Sequence, residues 1–286
     1  MKRWSIDVLG ALAIACMAGA CSVEPDLVVD EESNDALTSN ALTSNALTSN
    51  ALTSNALTSN ALTSNALTSN ALTSNALTSE VLQDPEQGLR AANIIKYSAR
   101  CMLTPDQSVT VTYLDRDGIE QTKTFFGNLG LEPSWIEGAL TESGRRWWVG
   151  CLGAHINGFG IPVSISARGP HPALTLTSKE ADDYTIREGA FWADYNPDAQ
   201  QALHIYSCYD PANSEAAYQR DRICANESCG DVMTVVGPCN GQAPACEAAH
   251  APDTSVGDYF EDCHRAAGPN WSDAPHAEVL TVNLRL

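Results

Sequence analysis

Residues 36–80 are the five-residue word Ala-Leu-Thr-Ser-Asn written eight times and closed by a ninth copy that ends in Glu80. A period of five suits neither regular element. In an α-helix each Leu lands about 140° further round than the last, so no apolar stripe forms. In a strand an odd period sends successive Leu side chains to opposite faces. A pentapeptide β-solenoid would bury each Leu together with the residue two before it, and that residue is Asn, as Asn40 is before Leu42. Buried Asn needs hydrogen-bond partners, so a solenoid requires Asn ladders. Nine words also make little more than two coils, which leaves few stacking neighbours. The competing reading is a flexible low-complexity spacer. In either form the segment holds the C-terminal part of the chain away from the N-terminal part. As a coil, its 45 residues span about 35–40 Å, and fully extended about 150 Å.

The N-terminal part reads as an address. Met1-Lys2-Arg3 is positive, and residues 6–20 are mostly apolar and small, with Asp7 as an early interruption. The run is too short for a stable transmembrane helix and ends in small residues, the pattern of a secretory signal. Ala18-Gly19-Ala20-Cys21 resembles the lipobox of bacterial lipoproteins, in which the Cys becomes the lipidated first residue after cleavage. Cys16 is a second choice for that role, and an ordinary secretory signal is the alternative to both. By the sorting logic of that family, Ser22 after the Cys is compatible with delivery to the outer membrane. Residues 22–35 are acidic and contain Pro25, a composition that disfavours a packed core. The membrane is therefore an expected partner through the lipid anchor alone.

The formal net charge is −19, with only four Lys beside twelve Arg. That balance argues against nucleic acid as a partner and against polybasic attachment to anionic lipid. The sequence divides into a signal peptide at 1–20, an acidic linker at 21–35, the spacer at 36–80 and a head at 81–286. At 206 residues the head is long enough for one sizeable core.

Within the head, Asp84-Pro85-Glu86-Gln87 has the form of a helix start, with Asp as N-cap and Pro at the first helical position. The helix should run to about Met102, with apolar residues over a broad face. Residues 109–113 alternate like a strand, Asp117-Gly118 supplies a hairpin turn, and residues 122–126 return. Asp115 and Asp117 fit a calcium loop poorly, because Ile119 stands where an oxygen ligand is needed. Pro133 opens a short helix. A longer one starts after Thr141 as N-cap and ends near Asn157-Gly158, with Trp148, Cys151, Leu152, His155 and Ile156 on one stripe. Residues 161–167 form a strand that runs into a stiff loop at 168–172. There Arg168 and His171 together would bind an acidic group, unless Arg168 serves only a turn salt bridge. Aromatic residues at 191–192 are expected against the hairpin. Strands are expected at 202–208 and 231–236, the second inside a loop-rich, Cys-dense region at 208–276. Residues 278–286 close the chain as a strand with Val279, Thr281, Asn283 and Arg285 on one face and Leu280, Val282, Leu284 and Leu286 on the other. The expected fold class is α+β: two main helices packed on a small, mostly antiparallel sheet, with a disulfide-rich loop region.

Eight cysteines remain in the head: Cys101, Cys151, Cys208, Cys224, Cys229, Cys239, Cys246 and Cys263. An even number in an exported chain reads as disulfides. Cys101 and Cys151 lie on the apolar faces of the two main helices and are expected to pair; the other six staple the tail. The spacings of Cys224, Cys229, Cys239 and Cys246 lack the tight form of zinc knuckles, so no metal or other cofactor is expected.

The head carries no Gly-x-Ser-x-Gly, no His-Glu-x-x-His and no phosphate-binding glycine loop. Neighbouring carboxylates such as Glu180 with Asp182 or Asp183 arise by chance in so acidic a chain. If the head is an enzyme, His155, Arg168, His171 and His204 are the catalytic candidates, though a His on an apolar face is more often a satisfied core residue.

The pentapeptide spacer, the segment Arg145-Arg146-Trp147-Trp148-Val149-Gly150-Cys151-Leu152, residues 161–172 and Glu188-Gly189-Ala190-Phe191 together resemble a group of predicted myxobacterial-type lipoproteins. Those proteins join a lipobox, a spacer and a Cys-rich head and carry no assigned activity. The resemblance transfers no functional residue. The expected function is a lipid-anchored envelope protein, exported to the outer membrane, whose head serves binding or surface interaction, with a protein or a glycan among the partners open to it. An exported hydrolase and a purely structural display protein are the alternatives.

Overall fold

The computed structural model describes residues 41–43, 82–156, 164–195, 203–213, 233–249 and 257–285, all within the unit 35–286. The signal, the lipobox, Asn157-Gly158, residues 161–163 and the cysteines Cys224 and Cys229 lie outside the described residues. In chain order the elements are β1 (Ala41–Thr43), α1 (Gly88–Met102), β2 (Ser108–Leu114), β3 (Glu120–Phe126), α2 (Glu142–Ala154), β4 (Ser164–Arg168), α3 (Ser178–Asp183), β5 (Ile186–Tyr195), β6 (Leu203–Tyr209), β7 (Met233–Pro238), β8 (Glu247–Ala249), β9 (Tyr259–Glu261) and β10 (Leu280–Leu284). Short 3-10 turns at Pro133–Ile136 and Pro172–Leu174 complete the set. The fold is disulfide-rich α+β. Among the described residues no helix is long and apolar enough to cross a membrane.

The main sheet has the order β1-β4-β10-β5-β6-β7, antiparallel except for the parallel pair β6 and β7. Its strands alternate, and each face therefore has its own residue set. Ile165, Ala167, Leu280, Val282, Phe191, Ala193 and Ile205 face α1 and α2 and form the larger core. Ala190, Trp192 and Cys208 face the other way, onto the Cys-rich loops, with Phe260, Cys239, Cys246 and Cys263. The expected packing of the aromatics against the hairpin needs correction for Trp192, which the strand period sends to the cystine side. Phe191 enters the helix-side core, against which Val109 and Phe125 of the β2–β3 hairpin pack. The hairpin also packs on α1 through Val111 and Tyr113 against Ala91, Ala92 and Ile95.

Helix α2 begins as its sequence implies: Thr141 Oγ1 accepts the Gly144 amide at 2.9 Å. Helix α1 begins three residues later than Asp84 as N-cap suggests. Asp84 caps a tight turn, accepting the Glu86 amide at 2.9 Å and Gln87 Nε2 at 3.0 Å. The first helical residue has to be Gly88, because a Cβ there would sit 2.3 Å from the Leu114 carbonyl and 2.7 Å from that of Leu82, which leaves room for no other residue type. Asp115 organises the hairpin turn, accepting the amides of Asp117 and Ile119 and Gln121 Nε2. Its carboxylate is thereby engaged with the hairpin itself.

Three disulfides join the described cysteines: Cys101–Cys151, Cys208–Cys239 and Cys246–Cys263. The first ties α1 to α2, as their apolar faces imply. The other two lie side by side on the cystine face, with 3.5 Å between the sulfurs of Cys208 and Cys246. They fasten loops with little regular structure of their own, where each bridge typically contributes about 2–4 kcal/mol.

Candidate functional site

Polar residues on a buried sheet face are the informative observation in any core. On the cystine side, β4, β10 and the start of β5 carry such a layer. Ser166, Arg168, Thr281 and Asn283 are buried there, with Ser166 and Arg168 opposite Asn283 and Thr281 in the register. Arg187 joins them through a β-bulge. Val282 pairs with Gly189 and Asn283 with Arg187, so Glu188 is an extra residue in β5. Without the bulge the strand period would place Arg187 on the helix side with Phe191. With it, the guanidinium lies 4.4 Å over the Phe260 ring and Nε donates to Asp210 Oδ2 at 2.6 Å.

A pocket of about 380 Å³ opens over this layer, lined by Arg168, Thr185, Ile186, Arg187, Asp210, Ala212, Asn213, Asp258 and Asn283. The Tyr184 carbonyl anchors it, accepting Arg168 Nη2 at 2.7 Å and Asn283 Nδ2 at 3.3 Å. A carbonyl can only accept, which fixes the orientation of the Asn283 amide. Arg168 Nε and Asn283 Oδ1 are buried and have no hydrogen-bond partner among the described residues. Burial pulls the Arg168 pKa below its ordinary value; the charges of Glu180 and Asp258 pull it up, and that of Arg187 lowers it. Glu180 is fully buried and accepts Ser166 Oγ at 2.8 Å. Asp210 uses Oδ2 for Arg187 and Oδ1 for the Ala212 amide.

The four sequence candidates do not meet. Arg168 is the last residue of β4, with its side chain in the pocket. His171, three residues on, turns to the helix side, where its ring lies edge-on to Trp147 at 5.2 Å and Nδ1 accepts the Ala173 amide. His155 is fully buried beside the Cys101–Cys151 bond. Its Nδ1 donates to the Cys151 carbonyl at 2.8 Å and lies 4.0 Å from each sulfur. These three side chains gather within 4.8 Å, but the bond between the sulfurs removes the thiolates a metal would need. His204 bonds Thr234 Oγ1 at 2.9 Å across β6 and β7. Glu180 is not half of a carboxylate pair: it is buried, Asp182 is exposed, and Asp183 bonds Lys179.

A second polar cluster, not legible from spacing, fastens the Cys-rich loop to β5 and β6. Asp194 accepts Tyr206 OH at 3.2 Å and lies 3.5 Å from His276 Nε2 and 3.6 Å from Arg265 Nη1. Asp273 accepts the Arg265 amide at 3.0 Å and lies 3.3 Å from His264 Nδ1. The His264 ring stacks on Trp271 at 4.1 Å. Burial and then the Asp194 charge push the Tyr206 phenol up to about 12, so it remains a donor. Among the described residues no hydroxyl or thiol side chain bonds His264 or His276, so the cluster has acid–base groups and no activated nucleophile.

Comparison of the chain with known protein families, with curated proteins and with solved structures finds no match.

Proposed function

We propose that this protein is a lipid-anchored envelope protein whose spacer presents the head for binding. Lipidated Cys21 is the anchor, residues 36–80 set the distance, and the head takes a small polar ligand in the pocket over β4, β10 and β5. The observation that carries the binding reading is the pocket of about 380 Å³ itself, whose lining gathers the guanidinium groups of Arg168 and Arg187, the carboxylates of Asp210 and Asp258 and the amides of Asn213 and Asn283. The hydrolase reading finds less support, because its candidate histidines are dispersed and each is engaged in packing, capping or a cross-strand bond.

Two measurements test the proposal. Labelled fatty acid should incorporate into the expressed protein and into no Cys21→Ala variant, with the variant leaving the membrane fraction. Amide spectra of the isotope-labelled protein, recorded against a panel of sugars, sugar acids and amino acids at millimolar concentration, should show shifts clustered at Thr185, Asn213 and Asn283. A panel that moves no pocket resonance would remove the binding reading and leave structural display.

A further inference from the structure

One edge of β4 is paired with β10. Its other edge is covered, among the described residues, by Ala41–Thr43 of the repeat, with Ala41 opposite Ser166, Leu42 opposite Ile165 and Thr43 opposite Ser164. Strand β4 is five residues long, Ser164–Arg168, which is the length of one repeat word. A single head therefore has place for one word on this edge, while the sequence supplies Ala-Leu-Thr nine times. When a strand is added to an open edge, main-chain hydrogen bonds supply the affinity, and they do not depend on which chain brings the strand. A word from a second copy meets the same β4 backbone and the same three opposite residues as the chain's own word. Ala, Leu and Thr carry no charge, and neither do Ser164, Ile165 and Ser166, so no like charges face each other at this contact.

We propose that the β4 edge is a docking site for a repeat word of a second copy of this chain, so that heads are linked by strand exchange. The proposal goes beyond ligand binding in the pocket and does not rest on it. A chain's own words and a neighbour's words make the same ladder, so their local concentrations decide between them. A flexible tether holds its own words at an effective concentration of millimolar order. Dilute chains therefore fill their own edges. Chains crowded side by side bring each other's words into the same range, and exchange between copies then competes with self-pairing. Each copy offers this one acceptor edge and nine donor words. Such a contact is heterologous, so it builds open chains or rings of heads rather than a two-fold dimer.

The test mixes two forms of the full mature chain. The acceptor is isotope-labelled and carries Leu42→Pro with the equivalent change in the other eight words, so its own repeat cannot complete the ladder. The donor is the unlabelled wild-type chain, raised until its words reach the millimolar range. The amides of Ser164, Ile165 and Ser166 should shift saturably with the donor, and a donor carrying the same prolines should shift none of them. No shift with the wild-type donor would overturn the proposal. Equal shifts with the two donors would overturn it too, since the contact would then not use the words. A synthetic peptide of several Ala-Leu-Thr-Ser-Asn words is the third probe. Shifts with the peptide and none with the donor chain would overturn the link between copies and leave the edge to the chain's own repeat. Should the bare edge make the acceptor aggregate, isotope-filtered spectra of labelled and unlabelled wild-type chains, mixed at the same concentration, keep the test. Contacts from the Ile165 amide to protons of the unlabelled chain should appear, and their absence would overturn the proposal. The pocket is read at Thr185, Asn213 and Asn283, so the ligand-binding reading stands or falls separately.

Discussion

The indole N–H of Trp148 donates to Ser98 Oγ at 2.7 Å, and the same hydroxyl donates to the Ile94 carbonyl at 2.8 Å. All three residues are fully buried. The pair joins α1 to α2 three residues from where Cys101–Cys151 joins them covalently, so the two links fix the register of one helix on the other. Ser98→Ala removes the acceptor and leaves the indole N–H unpaired in the core. It should destabilise the head by about 1–3 kcal/mol. Adding Trp148→Phe should cost less than the sum of the two single changes, since the orphan donor goes with it. Guanidinium unfolding of the four chains, disulfides intact, checks this; full additivity would mean the bond contributes nothing.

Much of this core is legible in the sequence because local signals and the strand period agree. Thr141 as N-cap, Pro133 opening a short turn and the alternation of residues 280–284 each reflect local chemistry. The Cys101–Cys151 bond is equally legible, since both cysteines fall on apolar helix faces. Asp84 misleads because its capping pattern is real but serves a turn, and the helix follows at Gly88, where the Leu82 and Leu114 carbonyls leave no room for a side chain. The pocket is not legible. Its residues come from five separate segments, and Arg187 reaches it through a bulge that no spacing signals. One hint is present: Thr281 and Asn283 form a polar face on a strand whose other face is wholly aliphatic. Arg168 stands out in the sequence, but beside His171. One strand residue followed by a glycine turn sends those two to opposite sides of the sheet.

Acid should loosen the clamp between β5 and the Cys-rich loop. Burial lowers the His276 pKa; Asp194 and Asp273 pull it up, while Arg265 and Arg146 push it down, and the net direction is down. His171 is lowered too, by burial against an opposing bond from the Leu131 backbone. For each, the unfolded chain binds a proton more readily than the folded one. Their contribution to stability is therefore complete above about pH 6.5 and is lost as pH falls from there through the folded values. Asp273 acts later. Burial would raise its pKa, but bonds from the Arg265 backbone, its own backbone and His264 lower it overall, so its contribution persists until pH falls below the usual carboxylate range. Melting temperature should drop between pH 7.5 and 5, and His276→Gln should flatten part of that drop. A melting temperature that rises toward pH 5 would contradict the assignment.

Gly257 packs against the pocket at φ +70°, where an added Cβ would meet Leu176 Cδ1 at 2.7 Å and Arg168 Nη1 at 3.2 Å. Gly118 has nearly the same backbone, φ +73°, with only Pro85 Cγ near, at 4.0 Å. The two sites separate conformation from contact. Gly118→Ala should cost about 1 kcal/mol, the penalty of a left-handed backbone. Gly257→Ala should cost about 1–2 kcal/mol more through crowding, and should shift the Asn283 side-chain amide resonances as Arg168 moves. Equal costs at the two sites would mean that the neighbours of Gly257 yield freely.

Among the described residues, part of a repeat word reaches the sheet. Ala41–Thr43 pairs antiparallel with β4, placing Ala41 opposite Ser166, Leu42 opposite Ile165 and Thr43 opposite Ser164. An open strand edge is a template for pairing, and covering β4 protects it. Nothing in the word itself selects this copy, because eight copies are identical and the ninth differs only at its last residue. Register is weakly specified where sequence does not distinguish alternatives. Leu42→Pro alone should therefore leave hydrogen exchange of the Ser164–Arg168 amides unchanged, as another copy takes the edge. Replacing Leu by Pro in all nine words should speed exchange there, since no copy can then complete the ladder. Faster exchange in the single variant would show that one fixed copy occupies the edge, and no change in the ninefold variant would show that the repeat does not cover it. If the copies are interchangeable, the length of repeat left between residue 36 and the paired word changes in steps of one word, which gives the duplicated sequence a mechanical consequence that a plain flexible tether lacks.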